Sequence, residues 1–76
     1  MRVVISRVHE NLFSGDALSV SAHTTEGEVG IFPHHQSFVA NLKPGTVSVQ
    51  TREGEKTFEA TEGVVEVSNN QVTVLL

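Results

Sequence analysis

Apolar and polar positions alternate with a period of two along most of the chain. Leu18, Val20 and Ala22 are separated by Ser19 and Ser21, Val47 and Val49 by Ser48, and Phe58 and Ala60 by Glu59. Val65 and Val67 flank Glu66, and Val72 and Val74 flank Thr73. Successive side chains of an extended strand point to opposite faces, so each segment has one face to bury and one to wet. That is the pattern of antiparallel strands packed on one side only. It predicts strands near Arg2–Arg7, Asp16–His23, Glu28–Phe32, Thr46–Thr51, Lys56–Glu62, Gly63–Ser68 and Gln71–Leu75.

Turn residues punctuate these segments. Gly15 is expected to turn the chain between an opening strand and the next. Glu26-Gly27-Glu28, with Gly30, reads as a tight loop of small surface. Pro44-Gly45 couples a fixed φ to a free one and suits a type II turn. Arg52-Glu53-Gly54-Glu55 reads as a four-residue hairpin loop. Asn69-Asn70 reads as a two-residue turn, because Asn tolerates the left-handed region. Phe38, Val39, Ala40 and Leu42 have the spacing of one helical turn, but Pro33 and Pro44 bracket them, and Lys43 before Pro44 is steered away from helical ψ. Gln36–Leu42 is therefore expected to be extended or irregular, with Phe38 and Leu42 entering the core. The fold class that follows is all-β: a small antiparallel β-sandwich or flattened barrel of about eight to ten short strands.

Composition agrees with this. Val, Ile and Thr supply 22 of the 76 residues, and branching at Cβ suits a pleated sheet better than a helix. A chain of this length makes one domain, taken as 1–76. Without Cys there is no disulfide, no thiolate zinc site and no cysteine nucleophile. Five Lys+Arg against nine Asp+Glu give a net charge of −4, a poor footprint for neutralising nucleic-acid phosphates. No apolar run is long enough for direct membrane insertion. The N-terminal residues lack the features of a secretory signal, so a cytoplasmic location is expected.

Candidate chemistry is sparse. His34-His35 suggests a metal, with His9 and His23 as further ligands, yet adjacent residues of an extended segment point to opposite sides. Zinc sites need three or four convergent ligands, so a structural or interface role suits these histidines better. None of the seven serines sits in Gly-x-Ser-x-Gly or has an evident His–Asp relay. Glu26-Gly27-Glu28-Val29-Gly30 has the glycines of a phosphate loop but not its Lys-Ser/Thr ending, and it leads into a strand. No catalytic, metal, nucleotide or cofactor site is expected. The residues describe a small acidic interaction module.

The order of the motifs says more. Leu12-Phe13-Ser14-Gly15 precedes a strand, and Thr25-Glu26-Gly27-Glu28-Val29-Gly30-Ile31-Phe32-Pro33 leads to His35. Leu42-Lys43-Pro44-Gly45-Thr46-Val47, Glu62-Gly63-Val64-Val65-Glu66-Val67 and Asn70-Gln71-Val72-Thr73-Val74-Leu75 follow. From about Ile5 to Leu75 this resembles the N-terminal β-sandwich of the epsilon subunit of F-type ATP synthases, the delta subunit of mitochondria. The family usually has Gly or Asn where His34 stands, Pro at Ser37 and a second Gly at Glu62.

The resemblance implies a non-catalytic central-stalk subunit of a rotary motor. Such a subunit binds the gamma subunit and the polar loops of the c-ring, and couples proton-driven ring rotation to ATP synthesis. It implies a peripheral place at the cytoplasmic face of the bacterial inner membrane. The c-ring interface falls on Glu26, Gly27, Glu28 and Gly30, where Glu28 aligns with a carboxylate facing basic groups of the ring loops. The gamma interface falls on His34 and His35. Most bacterial members continue into a two-helix hairpin that can inhibit hydrolysis and, in some, bind ATP. This chain stops at Leu76, so the expected fold has no C-terminal helical hairpin. Two other readings are a free-standing β-sandwich ligand-binding module and a small His-dependent enzyme. The first lacks the Trp or Tyr platforms of sugar sites, and the second lacks a relay.

Overall fold

A computed structural model describes every residue of the chain except His35 and Gln36. Nine strands make up the described chain: β1 (Arg2–Arg7), β2 (Glu10–Asp16), β3 (Ser19–Thr24), β4 (Gly27–Ile31), β5 (Phe38–Leu42), β6 (Gly45–Thr51), β7 (Gly54–Ala60), β8 (Gly63–Ser68) and β9 (Gln71–Leu75). They join in one curled sheet of order β2-β1-β9-β8-β5-β3-β6-β7, with β4 paired to β3 off that path. The all-β half-barrel matches the expected class, with one change of direction. β1 pairs β9 in parallel, Ile5 opposite Val74, while the other pairs are antiparallel. A parallel neighbour needs a long crossover, and here nearly the whole chain supplies it.

The sheet turns a corner where β5 gives way to β6. Both lie along one edge of β3, β5 meeting it at Thr24 and β6 over Ser19–Ser21. Lys43 and Pro44 carry the chain between them. Thr25 N–H donates to the Asn41 carbonyl and Lys43 N–H to the His23 carbonyl, both at 2.9 Å. Pro44 has no N–H to offer and fits where the ladder is interrupted. Gly45 has φ 158°, far from the roughly +80° of a type II turn, so the expected turn is instead a bend between two strands.

One core lies inside the curl. Val3, Ile5, Val20, Ile31, Val47, Val49, Val65, Val72 and Val74 are fully or almost fully buried. Ala40 and Leu42 join them, with Phe13, Phe38 and Phe58 packed at the margin. Phe13 on β2 and Phe58 on β7 bring the two ends of the sheet path together, with ring centroids 6.2 Å apart and planes tilted by 59°. That tilted arrangement is a favoured one for aromatic pairs.

Two hairpins share the pattern Thr-x-Glu-Gly and one geometry. Thr24-Thr25-Glu26-Gly27 closes β3–β4, and Thr51-Arg52-Glu53-Gly54 closes β6–β7. In each, the Thr hydroxyl donates to the Gly carbonyl (2.8 and 2.7 Å) and accepts from the Glu backbone N–H (3.1 and 3.2 Å). Gly27 and Gly54 have φ of 113° and 129°, values open to glycine for want of a Cβ. Thr24 and Thr51 are also the buried polar residues among those described, and their hydroxyls are satisfied by these turns. The β6–β7 loop is therefore two residues, Arg52-Glu53, shorter than expected. Asn69 and Asn70, at φ 51° and 60°, form the two-residue turn the sequence predicts.

Other expectations change. Gly15 lies inside β2 opposite Val3; the chain reverses earlier, at Val8-His9, where His9 takes φ 69°. β3 begins at Ser19, so Leu18 is half-exposed and Ala17 is buried in its place. The segment expected to be extended or irregular is extended from Phe38 onward, as strand β5, with Leu42 buried and Phe38 packed against the core as expected; Ala40 is buried as well, and Val39 is exposed between Phe38 and Ala40.

Candidate functional site

The β3–β4 hairpin projects Glu26 at its tip and Glu28 on its outer face. Strand register decides which residues share that face. Ala22 pairs with Val29 and Val20 with Ile31, facing the core, so His23 opposite Glu28 and Ser21 opposite Gly30 face outward. Glu28 is 72% exposed and Glu26 is exposed. Gly27 shapes the turn between them. Gly30 has no such backbone role, but a Cβ there would touch Phe32 Cε2 at 3.5 Å, so the largely exposed Phe32 ring reaches over it.

The structure therefore brings Glu26, Gly27, Glu28 and Gly30 together on one hairpin. His34 lies beyond the far end of β4, six residues after Glu28 and outside the strand. It takes φ 66°, a region in which His is tolerated and Gly is freer. Its backbone N–H donates to Asn70 Oδ1 at 3.0 Å, tying it to the β8–β9 turn. His35 lies outside the described residues.

Sequence reading missed two members of this surface. His23 Nδ1 stands 3.8 Å from Glu28 Oε2, and Lys43 borders the same shallow hollow with Pro44. Placing the turn at Thr25-Glu26 and counting back would have paired His23 with Glu28. The hollow presents charges of both signs around a small backbone surface.

A family model described as the ATP synthase delta/epsilon chain β-sandwich domain matches residues 1–76. The chain belongs to that family. Among curated relatives, the ATP synthase epsilon chain of Hydrogenovibrio crunogenus is 43% identical over 99% of this chain and 52% of its own length. That of Psychrobacter cryohalolentis is 44% identical over 97% of this chain and 53% of its own. The chain thus spans about half the length of these relatives. In fold it is similar to a chain of the Euglena gracilis mitochondrial ATP synthase OSCP/F1/c-ring structure, with TM-score 0.87, 24% identity, and 96% of this chain and 48% of that one covered. A chain from the Tetrahymena thermophila mitochondrial ATP synthase central stalk and c-ring gives TM-score 0.82 at 20% identity, covering 99% of this chain and 61% of that one. No helix long and apolar enough to cross a membrane occurs among the described residues of this family member.

Proposed function

We propose that this chain is a non-catalytic central-stalk subunit of a rotary F-type ATP synthase. It works as a single epsilon-type domain over 1–76, coupling proton-driven c-ring rotation to ATP synthesis by binding both the gamma subunit and the c-ring. Family membership over the whole chain carries this reading, and the solved structures of similar fold come from central-stalk and c-ring assemblies. Its place is peripheral, at the cytoplasmic face of a bacterial inner membrane.

The two ends of β4 support a division of labour. Glu26, Gly27, Glu28 and Gly30 form the c-ring contact, an exposed acidic hairpin suited to basic loops. His34 and His35 belong to the gamma contact. Phe32, 62% exposed beside Pro33 and His34, gives that end an aromatic anchor of the kind protein interfaces favour.

Reversing one charge tests the assignment. Glu28→Lys turns a rim attraction into repulsion and should weaken c-ring association by about 1–2 kcal/mol, twice the worth of an exposed pair. Folding should change by less than about 0.5 kcal/mol, as for other exposed positions. Proton pumping in reconstituted vesicles should fall while a gamma pull-down stays intact. Unchanged coupling, or loss of gamma binding instead, would assign this hairpin to a different partner.

A further inference from the structure

We propose that Asn70 is a positioning residue for the gamma contact: its side chain holds the His34 backbone, and with it the segment leaving β4, in the orientation the partner meets. This rests on the gamma reading of His34 given above. The β8–β9 turn and the end of β4 are far apart in sequence, yet His34 N–H donates to Asn70 Oδ1 at 3.0 Å. That is a well-formed hydrogen bond, and it fixes backbone rather than a side-chain tip.

Both residues stand where glycine is the easier choice. His34 takes φ 66° and Asn70 φ 60°, a left-handed conformation that costs a side chain free energy which glycine avoids. In a two-residue turn with positive φ at both positions, Asn followed by Gly is the favoured pair. Asn69 fits that preference and Asn70 departs from it. Turn chemistry supplies no reason for a side chain at position 70, whereas the hydrogen bond to His34 does.

The base of the Asn70 side chain is anchored. Its carbonyl accepts from Arg2 N–H at 3.3 Å, and the next residue, Gln71, pairs with both Ser68 of β8 and Arg2 of β1. Asn70 therefore joins the start of β1, the β8–β9 turn and the chain leaving β4. Between the exposed Phe32 and His34 lies Pro33, whose ring fixes φ and stiffens the link. Holding the His34 amide thus steadies the whole Phe32–His34 segment. Without that hold His34 is free to leave the left-handed region for the negative φ that most residues prefer.

Asn70→Gly separates this role from turn stability. Glycine suits the turn position better, so Tm should stay level or rise, while affinity for the purified gamma subunit falls by roughly two- to ten-fold, the worth of one net hydrogen bond. Amide hydrogen exchange at His34 in the free chain should quicken in the same variant. Asn70→Asp keeps an acceptor oxygen and tolerance of positive φ, and should restore both gamma binding and the slow His34 amide. His34→Asp also tolerates positive φ but replaces the ring, and should bind gamma weakly. If Asn70→Gly binds gamma as wild type does, or leaves His34 exchange unchanged, while His34→Asp binds weakly, the proposal falls and the gamma reading stands. A lower Tm for Asn70→Gly with unchanged His34 exchange would likewise reduce Asn70 to a turn residue and overturn the proposal. If His34→Asp binds as wild type does, the gamma reading of His34 falls and takes the proposal with it.

Discussion

Gly63→Ala is expected to destabilise the domain by about 3 kcal/mol, combining a strained φ with a steric clash. Gly63 opens β8 with φ 148°, in a region that L side chains rarely adopt. A Cβ there would also be driven into the Leu75 carbonyl oxygen and crowd Leu76 Cα. Both neighbours are backbone and cannot swing aside as a side-chain tip can. Relief requires moving the β8–β9 ladder at Val64–Leu75, next to the Leu42–Gly63 pair of β5. For a domain of this size a loss of 3 kcal/mol lowers Tm by roughly 12–24 °C. Gly30→Ala is the control, because a Cβ there meets only Phe32 at ordinary contact distance. With neither Trp nor Tyr in the chain, thermal unfolding is best followed by far-UV circular dichroism or calorimetry. Equal Tm values for the two variants would show that the start of β8 is not packed as described.

Ile5→Ala should cost about 2–5 kcal/mol, the range for truncating a buried Ile or Leu. Ile5 is completely buried and sits in β1 between Phe13 of β2 and Val74 of β9. It therefore bears on the parallel pairing that joins the two ends of the chain. The register shifts by one residue just after it, where the β1–β2 ladder is locally interrupted. A domain of this size has only about 4–11 kcal/mol in total, so the variant approaches the unfolding threshold. Val39→Ala removes methyl groups from a side chain that is 65% exposed, and should change stability by less than about 0.5 kcal/mol. Urea unfolding should show a lower midpoint for Ile5→Ala at similar slope. A loss below about 1 kcal/mol would contradict the burial of β1.

Much of this fold is legible in the sequence, for a physical reason. Strands buried on one face write their burial into alternation, and Val20, Val47, Val49, Val65, Val67, Val72 and Val74 are all buried as that pattern requires. Asn69-Asn70 is legible because both turn positions need positive φ. β2 is not, since it is an edge strand whose Leu12 and Phe13 are only partly covered, and a weakly buried face leaves little periodic trace. β5 is obscured by Val39, an apolar residue on the outer face that fills the gap between Phe38 and Ala40. The β1–β9 pair has no local signature at all, because its partners lie at opposite ends of the chain.

The candidate site shows the same division. The exposure of Glu26 and Glu28 follows from two charges around a turn glycine, and the structure places them so. The place of His23 beside Glu28 depends on hairpin register, which hinges on Thr24 pairing with Gly27 across a two-residue loop. The second copy of that pattern at Thr51–Gly54 identifies Thr-x-Glu-Gly as turn chemistry. It separates the structural work of Thr24 and Gly27 from the outward-facing carboxylates of Glu26 and Glu28.

The most direct test of the proposed coupling role adds the wild-type chain to membrane vesicles carrying an F-type ATP synthase depleted of its epsilon subunit. ATP-driven proton pumping is measured alongside ATP hydrolysis. The expected result is that pumping recovers as the chain is bound, so that protons move with each hydrolysis cycle again. Hydrolysis that stays uncoupled from pumping while the chain is bound at saturation would contradict a coupling role for this domain.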